Sequence, residues 1–380
     1  MVVRPVPTQD FSGLKELSEV VGRQWPHIQA SIRKTAQVLD VLTDAIGSVP
    51  GPVSDTSVVL NGSLARYECT QGSDLDWTFL VDSQANADHQ ENLLSIRRAL
   101  NAKATEGERR VFRDLGLKEP GSEGTFGTMA FSQPMIHYIG GENDSNSNTT
   151  RRVLLLLEAL PLGNRREAFD RVRLNVLRRY LIEDKGIFHK SVEGEIRWIP
   201  LFLLNDFARY WRTMAVDFAY KQFSRGQEGY ALRSIKLGTS RKLLYASGLL
   251  ACFWCDPKVS CRIDQEASMQ GLTDSLEVFL SKTPLERFAL YFASQLRRGR
   301  IQGIEANARK LFDSYDSFLG LLNDEEKRDH LEKLNPQDEF KSGIFLEARK
   351  LRHDFRLAMQ DTFTEPDSPL REHTLSKGIF

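Results

Sequence analysis

Between Ser57 and Asp82 the chain reads SVVLNGSLARYECTQGSDLDWTFLVD, and no other stretch restricts the fold as tightly. Apolar runs stand at both ends, Val58-Val59-Leu60 before and Trp77, Phe79, Leu80 and Val81 after. Between them lie Gly62-Ser63, ten further residues, and then Asp74-Leu75-Asp76. The pattern predicts a strand, a Gly-Ser turn, a short helix and a second strand. On that second strand Asp74 and Asp76 share one face and Leu75 takes the other, because side chains alternate along a strand.

Two neighbouring carboxylates repel unless a cation lies between them. A hard divalent ion with oxygen ligands, Mg²⁺ or Mn²⁺, meets that need. The Gly-Ser turn adds backbone N–H groups at a helix start, which favour phosphate. Together these residues describe a site for a nucleoside triphosphate with a metal.

The rest of the chain offers no rival chemistry. No GxSxG, HExxH or Walker-type loop occurs, and the histidines, His137 and His189 among them, are scattered. Cys252 and Cys255, with Cys261 beyond, lack the second ligand pair of a structural zinc site. Four cysteines in 380 residues also argue against a disulfide framework. Charged residues make up 27% and sum to a net charge of zero, so no global footprint for nucleic acid is expected. The start of the chain has no apolar leader core, and no run reaches membrane-spanning length. A cytoplasmic protein without membrane partners is expected.

Helical spacing of Leu14, Leu17, Val21, Trp25, Ile28, Ile32, Leu39, Leu42 and Ile46 predicts helix over 10–48, broken or kinked at Pro26. A polar helix is expected from Ala85 to Ala104, and long loops over 118–150. There Gly140-Gly141 and Asn143-Asp144 make a candidate phosphate or metal neighbourhood, or an ordinary surface loop. Val153–Leu160 reads as a buried strand with Glu158 near its end, although so short an apolar run also suits a helix. Glu158 then serves either as a third metal ligand or as an exposed strand-end acid.

From Arg165 the pattern is helical throughout. Within Pro200–Phe223, Asp206, Arg209 and Asp217 fall on one helix face, with Arg212 further round. Arg233, Lys236, Arg241 and Lys242 follow on the next helix. These cations suit either an anionic ligand or an ion-pair network between helices. Four regions result: an N-terminal helical segment (1–50), a catalytic domain (51–164), a helical accessory domain that binds substrate (165–360) and a frayed tail (361–380). The fold class is α+β, a small mixed sheet followed by a mostly helical domain.

Gly62, Ser63, Asp74 and Asp76, at this separation and between apolar strands, resemble the polymerase-β-like nucleotidyltransferase superfamily. With Arg66, Glu68 and Thr70 between them, the stretch is most similar to the bacterial branch that includes the uridylyltransferases and adenylyltransferases of nitrogen regulation. The resemblance covers about 25 residues, the span of the motif itself. It implies transfer of a nucleoside monophosphate from an NTP such as ATP to an acceptor hydroxyl, with release of pyrophosphate. It further implies two Mg²⁺ ions on Asp74 and Asp76, with Glu158 completing one. Gly62 and Ser63 would hold the β- and γ-phosphates. Arg66 would orient phosphate or pair with Glu68. Arg209, Arg212, Lys236 and Lys242 would assist nucleotide binding. The acceptor, whether protein, RNA or small molecule, is left open. So are two alternatives: a synthase of signalling nucleotides, and a regulator that binds nucleotide without turnover.

Overall fold

The computed structural model turns the two apolar runs into paired strands. β1 (Thr56–Leu60) and β3 (Trp77–Val81) run antiparallel, with Val58 opposite Phe79 and Leu60 opposite Trp77. Every residue of β1 is buried, so both faces of the sheet are covered and its sequence need not alternate. The turn between them forms a single helical turn, α3 (Gly62–Ala65). A two-residue strand, β2 (Ser73–Asp74), pairs in parallel with β4 (Leu117–Lys118). The main sheet has the order β5-β3-β1-β6, where β5 is Thr128–Phe131 and β6 is Leu160–Pro161. β5 runs parallel to β3 and β6 antiparallel to β1, which makes the sheet mixed. The structure describes residues 9–47, 49, 54–100, 117–118, 126–183, 187–190, 196–224, 227–254, 265–299 and 303–378.

The helix expected over 10–48 is two helices, α1 (Ser12–Val21) and α2 (Pro26–Gly47). Gly22, at φ 60°, ends the first in a left-handed cap, and Pro26 starts the second, where its missing N–H costs nothing. The polar helix is α4 (Asp88–Leu100). Two further expectations are corrected. The region 118–150 is not all loop: β5 is followed directly by α5 (Ser132–His137), and α6 begins at Asn146. The leucine run 153–157 is not a strand but the last turns of α6 (Asn146–Leu157). Ser145 caps that helix by accepting a hydrogen bond from the Asn148 N–H at 3.2 Å. The polar stretch before the leucines is therefore a helix start.

The chain divides into two compact units, Met1–Gln9 with Gln29–Arg179, and Asp10–Ile28 with Tyr180–Phe380. The expected boundary at 165 thus lies later, inside α7 (Glu167–Glu183). The expected 1–50 segment belongs to both units. Its first helix, α1, packs on α12 (Pro284–Arg298) of the second unit. Gly13 permits the approach: a Cβ there would lie 2.7 Å from both Glu286 Oε1 and Leu290 Cγ.

The second unit is a hairpin, β7 (Ile187–Lys190) and β8 (Ile196–Ile199), followed by helices. α8 (Leu201–Ser224) and α9 (Tyr230–Lys236) lead into a π-helical turn, Leu237–Arg241, and α10 (Lys242–Trp254). Then come α11 (Gln265–Leu280), α12, α13 (Ile304–Asn323), α14 (Glu325–Lys333) and α15 (Gly343–Thr364). As far as Gly378, the expected frayed tail is not frayed. α15 runs to Thr364, Leu370 is fully buried, and the His373 ring lies 5.9 Å from that of Phe253. Ser368 secures the return by donating to the Thr362 carbonyl at 2.6 Å. Among the described residues no helix is long and apolar enough to cross a membrane.

Candidate functional site

The Gly-Ser turn and the Asp-x-Asp pair meet in space, and the backbone of Gly62 is what lets them. Gly62 sits at φ +67°, a left-handed conformation that suits glycine. A Cβ built there would stand 2.8 Å from Asp76 Oδ2. The Asp76 carboxylate is therefore seated against the Gly62 backbone. The Asn61 N–H donates to the Asp76 carbonyl at 2.9 Å, which extends the β1–β3 ladder by one step and fixes the register of the two motifs.

Asp74 ends β2 and is exposed, while buried Leu75 and half-buried Asp76 lie between β2 and β3, so the two acids are not carried on one continuous strand as expected. Asp74 has no hydrogen-bond or ion partner for its carboxylate among the described residues. Ser63 is half-buried on α3, and its carbonyl accepts the Glu68 N–H at 2.8 Å.

Arg66 and Glu158 have different surroundings. Arg66 is buried and its Nε donates to Glu68 Oε2 at 2.7 Å, while Nη1 donates to Glu158 Oε2. Glu158 itself is only 2% exposed, at the C-terminal cap of α6. One guanidinium thus binds two buried carboxylates. Of the two open readings of Arg66, the structure has the pairing with Glu68. Glu158 is not an exposed strand-end acid: it is buried at the end of a helix, and its Oε2 accepts from Arg66. Among the described residues no group of three or more His, Cys, Asp or Glu is placed to hold a metal.

Asp144, in the candidate glycine-rich neighbourhood, is likewise engaged. Arg152 of α6 binds it with both terminal nitrogens, at 2.6 and 2.7 Å. Its neighbour Arg151 was not singled out by sequence reasoning and differs in kind. It lines a cavity of about 30 Å³ with Asn61, Thr78, Leu154 and Leu155. That space has room for one or two waters and none for a nucleobase. Burial holds the Arg151 guanidinium below the ordinary arginine range, and its Nε is buried with no hydrogen-bond partner among the described residues. The only sequence signal was a doublet, Arg151-Arg152, of which one member neutralises Asp144 and the other does not.

The four remaining candidates lie in the second unit. Arg209 and Arg212 are on α8, Lys236 ends α9 and Lys242 starts α10. Asp206 is buried and accepts from the Tyr180 hydroxyl, with Arg209 Nη1 4.0 Å away. Asp217 does not join them: it pairs with Lys221 at 3.0 Å on the surface. Cys252 is a free, buried thiol, while Cys255 and Cys261 lie outside the described residues. No family model matches the chain, and no curated protein matches it.

Proposed function

We propose that the first unit is a metal-dependent nucleotidyltransferase that moves a nucleoside monophosphate from an NTP to an acceptor hydroxyl. The observation that carries this reading is the seating of Asp76 against Gly62, with exposed Asp74 beside it across buried Leu75. Mg²⁺ commonly binds through one or two carboxylates, with substrate phosphates and water filling its other positions, so two aspartates are a sufficient protein contribution. Asp74 and Asp76 would hold one such ion, or Mn²⁺. When bound, that ion lowers the pKa of the acceptor hydroxyl and offsets charge on the triphosphate. A second ion completed by Glu158 is not part of the proposal, because Arg66 occupies that carboxylate.

Ser63 and the Gly62 backbone orient the β- and γ-phosphates. Arg151 takes the place given earlier to Arg66 as the cation available to them, since Arg66 is committed to Glu68 and Glu158. In the reaction the acceptor oxygen bonds to the α-phosphorus, the bond from that phosphorus to the bridging oxygen breaks, pyrophosphate leaves, and the acceptor proton passes to solvent.

The test is pyrophosphate release from each NTP with Mg²⁺ or Mn²⁺, with and without cell lysate, against Asp74→Ala with Asp76→Ala. Loss of release in the double variant is expected, and release that survives it sinks the assignment. The two-carboxylate count favours one second reading, nucleotide binding without turnover. Metal-dependent NTP binding with no pyrophosphate under any condition selects it. Label recovered in soluble oligonucleotides selects a signalling-nucleotide synthase.

A further inference from the structure

The second unit holds a concentration of positive charge that no carboxylate neutralises among the described residues. Arg352 and Arg356 are one helical turn apart on α15, which packs against the π-helical turn 237–241 and α9. Arg352 Nη1 donates to Ser234 Oγ at 2.8 Å, and Arg356 Nη2 meets His353 Nδ1 at 3.4 Å. The stem of Arg352 runs across Gly238: a Cβ there would stand 2.3 Å from its Cδ and 2.6 Å from its Cγ. Lys242 follows that turn at the start of α10. Its ammonium is held below the ordinary lysine range, first by burial, then by Arg356 and then by Arg352. Among the described residues none of the three has an acidic partner.

This arrangement is costly without a ligand. Like charges at this range repel, and burial of Lys242 adds to the cost. Ordinary structural cations in this unit are paired instead, as Lys221 is with Asp217 and Lys327 with Glu347. The backbone is also built around the group. A π-helical turn is uncommon and concentrates at functional positions. Here it places Gly238 under Arg352 and is followed directly by Lys242. Arg356 is exposed, and Lys242 and Arg352 are half-buried, so a ligand has access from solvent.

We propose that Lys242, Arg352 and Arg356 form a binding site for a multiply charged phosphate group. A planar guanidinium pair with an ammonium matches the oxygens of a phosphate dianion. The group arrives either on a small phosphorylated molecule or on the terminal phosphate of an oligonucleotide. The site belongs to the second unit, and the inference does not depend on the chemistry proposed for Asp74 and Asp76.

The experiment uses the full chain in EDTA, so that metal-dependent binding at the aspartates is silent. Inorganic pyrophosphate is titrated while Lys242 is followed by amine labelling and the melting temperature is recorded. Pyrophosphate is expected to protect Lys242 from labelling and to raise Tm. Lys242→Met and Arg352→Met are each expected to weaken binding by about tenfold or more, as loss of one charge-assisted contact implies. Lys242→Met is also expected to melt higher than the unchanged protein in phosphate-free buffer, since it removes repulsion. A purely structural lysine gives the opposite sign, so this readout separates binding from folding. Unchanged labelling with pyrophosphate, equal affinity in the variants, or a lower phosphate-free Tm for Lys242→Met overturns the proposal. A 5′-phosphorylated and a 5′-hydroxyl oligonucleotide form the second arm. Tighter binding of the phosphorylated strand than of pyrophosphate assigns the group to an oligonucleotide end, and the reverse order to a small molecule.

Discussion

Gly62→Ala tests the contact on which the candidate site rests, and its cost can be divided in advance. The first part is conformational. Gly62 has φ +67°, and an L-residue held there loses about 1–2 kcal/mol relative to its preferred regions. The second part is steric. The new methyl would lie 2.8 Å from Asp76 Oδ2, well inside contact distance, so the carboxylate must move. Forced overpacking of this kind costs about 1–3 kcal/mol. Together the substitution should destabilise the β1–β3 region by about 2–5 kcal/mol. A double-mutant cycle separates the parts. In an Asp76→Ala background no carboxylate remains to collide with, and only the conformational part, about 1–2 kcal/mol, should persist. The assay is native-state amide exchange on peptides covering Thr56–Leu60 and Trp77–Val81, which reports opening of these strands directly. If Gly62→Ala costs the same in both backgrounds, or less than about 0.5 kcal/mol in either, the two motifs are not in contact and the site is misassigned.

Arg66→Met should leave Glu68 and Glu158 buried without their shared cation and cost about 3–5 kcal/mol in urea unfolding. A phosphate-binding Arg66 would instead lose NTP affinity with little effect on the fold. Glu286 accepts the Gly13 and Leu14 N–H groups at 2.6 and 2.9 Å, yet burial raises its pKa to about 7. The folded state therefore holds this proton more tightly than the unfolded chain. The resulting stability is full below the unfolded value of 4.5 and is lost as pH rises through about 7. Its size is about 3 kcal/mol across that window, and Glu286→Gln should flatten the curve of unfolding free energy against pH. Thr283 caps α12 by accepting the Glu286 N–H at 3.3 Å, so Thr283→Ala should lower stability by about 1 kcal/mol in chemical denaturation.

Local signals carried much of the fold. The strand runs around Gly62 and Asp76 and the break at Pro26 were readable, because each depends on neighbours in sequence. The errors share a different origin. The leucines of α6 are buried on every side, so they had no period to reveal, and the helix start before them looked like loop because its residues are polar. Leu370 and His373 sit in a polar, proline-containing stretch whose burial is set by Phe253 and the end of α15, far away in sequence. The site divides in the same manner. Gly62, Ser63, Asp74 and Asp76 lie within one supersecondary unit and were legible together. Glu158 pairs with Arg66, 92 residues earlier, and Asp144 pairs with Arg152 and not with its neighbour Arg151. No spacing rule reports such choices.

The two N–H bonds from α1 to Glu286 also have a consequence for synthesis. The second unit is discontinuous in the chain: Asp10–Ile28 comes first and Tyr180–Phe380 last, with most of the first unit encoded in between. Gly13 and its acceptor are separated by 273 residues. At ordinary elongation rates α1 leaves the ribosome roughly 15–55 s before Glu286 exists. Throughout that interval the apolar side of α1, with Leu14, Leu17 and Val21, has no partner on α12. The first unit has all of its residues by then and can fold early, whereas the second must wait for its final third. A fragment beginning at Tyr180 would never acquire α1, and a split placed there would divide one hydrophobic core between two polypeptides.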